Sequence, residues 1–172
     1  MSTQTEKLIC DLSIHEDVVL DEAMPEVQLQ LLSGFAVEIM VLINIMPPMS
    51  MSIHITTDAH IRELNSSYRK IDAPTDILSF QADPLLPGVE EMPHLGDLIF
   101  SYEYTMRQAR AENHQPLDEF KMLIIHGVLH LIGYTHDDED TEREMWARQS
   151  ALLEHFGVAI TLPRYIHGDD DV

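Results

Sequence analysis

Apolar positions recur along this chain with two different periods. Met51, Ile53 and Ile55 alternate with Ser52, His54 and Thr56, the spacing of a strand with one buried face. The run from Lys7 to Leu20 alternates in part and predicts a first strand. Ile77 to Phe80 and Leu98 to Tyr102 predict two more short strands. Helical spacing dominates elsewhere. Pro25 opens a helical stretch toward Met46, broken by Pro47-Pro48. Asp58 to Tyr68 carries Ala59, Ile61 or Arg62, Leu64 and Tyr68 at helical spacing, with Thr57 or Asp58 as cap. Gln115-Pro116 starts a further helix with acids in its first turn, a stripe of Leu117, Phe120, Leu123, Ile124 and Leu131, and Gly133 as left-handed stop. A last helix is predicted from about Asp138 to His155, ending before Gly157. Pro84, Pro87, Gly88 and Pro93 make the segment from Asp83 to His94 a loop. Strands mixed with helices in this order predict an α/β or α+β fold.

Composition narrows the class. A length of 172 residues predicts one domain over residues 1–172, with ragged tails at about 1–6 and 167–172. Apolar residues make up 45%, enough for a packed core and too many for a disordered chain. Ten Lys and Arg stand against 30 Asp and Glu, a formal charge of −20, which argues against a generally basic nucleic-acid binder and against attraction to anionic membranes. The single cysteine, Cys10, excludes an intramolecular disulfide and a cysteine zinc knot, as suits a reducing cytosol. Polar interruptions within Leu29 to Met46 predict a buried helix rather than a membrane span, and Met1 to Lys7 lacks a signal-peptide layout.

The candidate chemistry lies among the ten histidines. His126 and His130 are four apart and project from one helical face, and the turn at Gly133 brings His136 back toward them. Three neutral imidazoles at one point suit a divalent transition metal, zinc first, and leave a fourth position for a water acidified toward a pKa of roughly 7. His15, His54, His60, His94, His114, His155 and His167 show no such spacing, and most of them are expected to be ordinary polar residues. The spacing matches the metzincin protease motif H-E-x-x-H-x-x-G-x-x-H except that Gly127 stands where those enzymes carry the general-base Glu, which speaks against peptide hydrolysis.

The string His126-Gly-x-Leu-His-Leu-x-Gly-Tyr-x-His136, with Met145 nine residues on, resembles the signature of the YbeY family of bacterial endoribonucleases. Leu64-Asn65-x-x-Tyr68-Arg69, Pro74-Thr75-Asp76-Ile77-Leu78-Ser79-Phe80 and Leu95-Gly96-Asp97-Leu98-Ile99 resemble that family's central blocks in the same order. Thr135 departs from it, since the family usually has Asp before the third His, and a supporting role for that Asp is put in doubt. The resemblance implies a zincin-like α+β fold, a small mixed sheet packed against helices. It implies His126, His130 and His136 as ligands of one Zn2+ per chain, or of another divalent transition metal, and Arg69 as the catalytic or phosphate-binding arginine. It further implies cleavage of single-stranded RNA, maturation of the small-subunit rRNA 3′ end, ribosome quality control, and a cytoplasmic location.

Phosphodiester cleavage places negative charge on oxygens that a metal and a planar guanidinium stabilise, in agreement with that set. Lys70 is a further candidate for binding substrate, and Asp97 for orienting an imidazole or a water from behind. Tyr134 and Phe80 have the chemistry to stack on bases or to form walls. At −20, tight capture of free RNA is not expected; weak RNA affinity, or delivery by a ribosomal-protein or GTPase partner, reconciles the charge with that substrate, and the resemblance implies the small ribosomal subunit or an associated protein as partner. Two other readings stay open: a metallohydrolase with another substrate, and a ribosome assembly factor whose metal is structural.

Overall fold

In a computed structural model, which describes residues 7–160, four strands and five helices follow one another as β1 (Leu8–Ile14), α1 (Glu26–Leu42), β2 (Met49–Thr56), α2 (Asp58–Arg69), β3 (Ile77–Gln81), β4 (His94–Ser101), α3 (Tyr102–Ala111), α4 (Pro116–Leu131) and α5 (Glu139–Phe156). The strands form one mixed sheet in the order β1-β2-β4-β3, with β3 the antiparallel edge. This is the α+β architecture expected. The expected ragged tails lie outside the described residues.

The helices collect on one face of the sheet, and α4 lies in the middle, touching β3, β4, α1, α3 and α5. Its sequence accounts for that position. From Met122 to Leu129 every residue is buried, so α4 needs partners all round rather than along one stripe. The apolar stretch before Pro47 is indeed a buried helix: Leu29, Leu32, Ala36, Ile39 and Met40 of α1 are fully covered. Among the described residues no helix is long and apolar enough to cross a membrane.

Several boundaries differ from the sequence expectation. Strand β1 is shorter than its apolar run and ends at Ile14. Helix α1 stops at Leu42, before the Pro pair, with Asn44 at positive φ. His94, expected in the loop, is the first residue of β4, and Tyr102, expected in a strand, opens α3. Helix α3 was not foreseen, although Tyr102, Thr105, Met106 and Ala109 have helical spacing and Ser101 Oγ accepts from Tyr104 N as its cap. The cap of α2 is Thr57, whose hydroxyl accepts from His60 N, and α2 runs one residue further, to Arg69. Asp138 and Thr141 form a reciprocal capping box at the start of α5, and the two amides donating to Asp138 hold its carboxyl below the usual range.

One glycine is required by the sheet itself. Ser50 pairs with His94 and Ser52 with Asp97, so two residues of β2 face three of β4, which is a bulge. Gly96 lies in that bulge at φ +150, and a Cβ there would strike the Phe80 carbonyl and come within 2.7 Å of Leu131 Cδ2. We predict that Gly96→Ala lowers stability by about 2–3 kcal/mol, measured by chemical denaturation, because backbone on the neighbouring strand cannot retreat as a side chain can.

Candidate metal centre

Helix α4 delivers two histidines from its last turns and the following loop delivers the third. The ligand atoms of His126, His130 and His136 all lie within 4.8 Å of one another. His126 is buried; the other two are half-buried. The His126 and His130 rings stand 4.5 Å apart at an interplanar angle of 80°, and His136 is 5.1 Å from His130. Gly133, at φ +102, makes the turn that carries the third ring back.

The hydrogen bonds behind the rings fix their tautomers. His126 Nδ1 donates to Gln149 Oε1 at 2.9 Å, and His130 Nδ1 donates to the Tyr134 carbonyl at 3.0 Å. Both acceptors are oxygens without a proton to give, so each ring carries its proton on Nδ1 and points an Nε2 lone pair inward. Those two Nε2 atoms are 2.9 Å apart. Two lone pairs at that distance repel unless a cation lies between them. Two nitrogens on a tetrahedral zinc, each about 2.0–2.1 Å from it, are roughly 3.3 Å apart, so the arrangement needs only slight opening to fit one. The donor set therefore suits a divalent transition metal, with an outer hydrogen bond behind each of these two ligands. Gln149, buried on α5, was not singled out from sequence; nothing in its local pattern separates it from a core-facing helix residue.

Gly127 has a structural cause. A Cβ there would lie 2.7 Å from Leu98 Cδ2 and 2.9 Å from Ile77 Cδ1. The glycine lets α4 press against β3 and β4, and a Glu at this position would be driven into the core rather than toward a water. The absence of a protease base is thus built into the packing.

Arg69 ends α2 and lines a cleft of about 490 Å³ together with Tyr68, Phe80, His130, Tyr134 and Thr135. The structure places Arg69 and His130 on one cavity, with Phe80 and Tyr134 in its wall. Arg62, Arg107, Arg110 and Arg143 each hold a carboxylate, while Arg69 makes no ion pair among the described residues. Buried Asn65 donates from Nδ2 to the Ala73 carbonyl and its own carbonyl accepts from Lys70 N, which fixes the chain just after Arg69. Tyr68, 67% exposed, meets Phe80 edge-on at 5.1 Å and was not anticipated as a site residue.

Two other candidates are placed elsewhere. Lys70 is exposed at the left-handed end of α2, and its Nζ donates to the Ser67 carbonyl at 2.8 Å, away from the cleft lining. Asp97 does stand beside imidazoles, but those of His54 and His94. It alternates along β4 with Leu98, which packs against α4, so it belongs to the opposite sheet face and supports none of the three clustered rings. Burial, helped by neighbouring Asp11, pushes the Cys10 thiol up to about 12, so it stays protonated at neutral pH and is no rival ligand.

A central helix pressed on a mixed sheet, bearing two histidines that meet a third beyond a glycine turn, defines the class of zincin-like α+β domains. The family model described as endoribonuclease YbeY matches residues 17–157, and the chain belongs to that family. Endoribonuclease YbeY of Geobacillus kaustophilus is 34% identical over 155 residues, covering 86% of this chain and 99% of the relative. That of Azorhizobium caulinodans is 43% identical over 108 residues, covering 63% of this chain and 67% of the relative. A solution structure from Thermotoga maritima superimposes with a TM-score of 0.55 at 26% identity, covering 86% of this chain and 89% of the other.

Three outcomes follow from the site's packing and hydrogen bonds. Gly127→Ala gains helix propensity of about 1 kcal/mol and loses a similar amount to crowding against the movable tips of Leu98 and Ile77, so its unfolding midpoint stays near wild type. Gly127→Glu adds an unpaired buried carboxyl and is expected to unfold markedly earlier, by roughly 3 kcal/mol or more, with no peptidase activity gained. Gln149→Leu keeps the volume and removes the acceptor behind His126; divalent-metal affinity, read by competition with a chromophoric chelator, is expected to fall about 10–100-fold.

Proposed function

We propose that this protein is a metal-dependent, single-strand-specific endoribonuclease that matures ribosomal RNA, at the small-subunit 3′ end, and serves ribosome quality control. The observation that carries this reading is the cleft composition. In a chain of charge −20, the residues lining the cleft between Arg69 and His130 include no Asp or Glu. Thr135, where the family usually has Asp, is one of them, so the departure removes an acid from the place where phosphate has to sit. The names of the relatives support the same activity.

In this reading His126, His130 and His136 hold one divalent ion, zinc being the first candidate for an all-imidazole set. Bound there, such an ion would supply Lewis acidity for a phosphate ester and would acidify a water. The chain's own contributions are these. Arg69 pairs its planar fork with the non-bridging phosphate oxygens and holds the charge that grows on them. Tyr68 and Phe80 stack on the flanking bases, which only an unpaired strand exposes. Gln149 and the Tyr134 carbonyl keep Nδ1 protonated on two of the rings. Lys70 joins only after releasing its helix end. Because the rest of the surface is acidic, the small ribosomal subunit or a protein on it presents the RNA, which sets the work in the cytoplasm.

Arg69→Glu is expected to lower kcat/KM on a single-stranded RNA by roughly 10²–10³-fold while metal content, measured by elemental analysis, is unchanged. Full cleavage by this variant overturns the assignment. His126→Ala is expected to lose the ion, and stoichiometric metal in that variant removes His126 from the ligand set. A wild-type protein that unfolds on chelation yet never cuts RNA is the outcome expected of an assembly factor instead.

A further inference from the structure

The sheet face turned away from α4 carries histidines that no sequence spacing had linked. The bulge at Gly96 shifts the alternation of β4 by one residue, so His94 and Asp97 both point outward on this face. His54 of β2 joins them. His54 Nε2 lies 3.4 Å and His94 Nε2 3.3 Å from the same oxygen, Asp97 Oδ1. Behind each ring stands a serine: Ser13 Oγ is 2.7 Å from His54 Nδ1, and Ser50 Oγ is 2.9 Å from His94 Nδ1.

We propose that His54, His94 and Asp97 form a second site for a divalent first-row transition metal, separate from the three-histidine centre. Two imidazoles and one carboxylate are a recurrent donor set for zinc, copper and nickel. Each nitrogen lies from the shared oxygen at about the 3.3–3.4 Å that separates two ligands of one tetrahedral ion, while the two nitrogens stand further apart than such ligands do. Ligation needs each Nε2 to offer a lone pair, so each proton must sit on Nδ1. The serines permit that, since a hydroxyl accepts as well as donates. Ser50 has another acceptor for its own proton in the Pro93 carbonyl at 3.3 Å, so it can accept from His94 Nδ1 once an ion replaces the proton between Nε2 and Asp97. These hydroxyls then hold the rings from behind as outer partners of metal-ligating histidines do.

Among the described residues, only the first centre has every ligand atom within 4.8 Å of the others, so the two rings must swing closer around Asp97 to enclose an ion. Their side chains are 44% and 32% exposed and have room to do so. The same exposure gives an ion from solvent direct access, and a chain of −20 raises the local concentration of cations. The neighbouring pair His15 and His60, with ring centroids 5.4 Å apart, is differently engaged: His60 Nδ1 is 2.7 Å from Thr56 Oγ1 and His15 faces Asp17.

The test is zinc binding to the full chain after dialysis against excess metal, with far-UV circular dichroism as the fold control. Wild type is expected to hold one zinc equivalent more than His54→Ala/His94→Ala, whatever the first centre retains. Asp97→Asn, which keeps a hydrogen-bond acceptor, is expected to weaken that second equivalent about tenfold. With Cu2+ as probe, nitrogen hyperfine splitting from the second ion is expected to vanish in the double variant. Equal stoichiometry in wild type and double variant overturns the proposal, as does loss of the second equivalent in His15→Ala with His54 and His94 intact. Cleavage of RNA is not read in any arm, so failure here is distinct from failure of the nuclease assignment.

Discussion

Two Nδ1 protons decide what the centre of this protein is. Because Gln149 and the Tyr134 carbonyl accept them, the Nε2 atoms of His126 and His130 confront each other at 2.9 Å as lone pairs. That confrontation is unfavourable in any fold without a cation between the rings. It is maintained here by elements with separate reasons to be where they are. Helix α5 is fixed by its capping box and its buried Leu152 and Leu153, and Tyr134 by the turn at Gly133. The electrostatic cost of gathering three imidazoles is thus met by packing energy spread over the core.

The position of α4 links this chemistry to the sheet. Its burial on all sides leaves no surface along which it could slide, and Gly127 sets how near it comes to Leu98 and Ile77. The same closeness keeps a carboxylate out of the place where a peptidase needs one. The edge strand β3 is joined to this helix by Gln81 Nε2, which donates to the His130 carbonyl at 3.0 Å. The cleft between Arg69 and His130 is therefore bounded by the end of α2 and by an edge strand and a helix end that share a hydrogen bond.

Much of this was legible in the chain. Period-two and period-3.6 patterns marked the strands and most helices, since burial on one face leaves a periodic trace. The histidine spacing marked the ligand set, because both the helix pitch and the glycine turn are local. Arg69 was legible only through its resemblance to a family block, as a lone arginine at a helix end has no periodic signature. Gln149 and Tyr68 were missed because their roles depend on which helix lies opposite. Helix α3 was hidden by a strand pattern that runs into its first residue. The pairing of Asp97 with His54 and His94 depends on a bulge, and a bulge reverses the alternation by which a strand's faces are assigned.

The distribution of charge gives the fold its last constraint. An acidic chain that acts on a polyanion must withhold carboxylates from one locality, and the residues lining the Arg69 cleft show where. Four arginines outside it are each committed to an aspartate. Arg69 alone of these five keeps its fork for something else, and it does so at the end of a helix whose dipole already favours a cation there. The attraction available to a phosphate is therefore short-range, residing in one guanidinium and a centre suited to a cation, and it fades within about a Debye length into a surface that repels. Such a field favours a strand already held close over one arriving by diffusion, in keeping with the proposed presentation of the RNA on a larger particle.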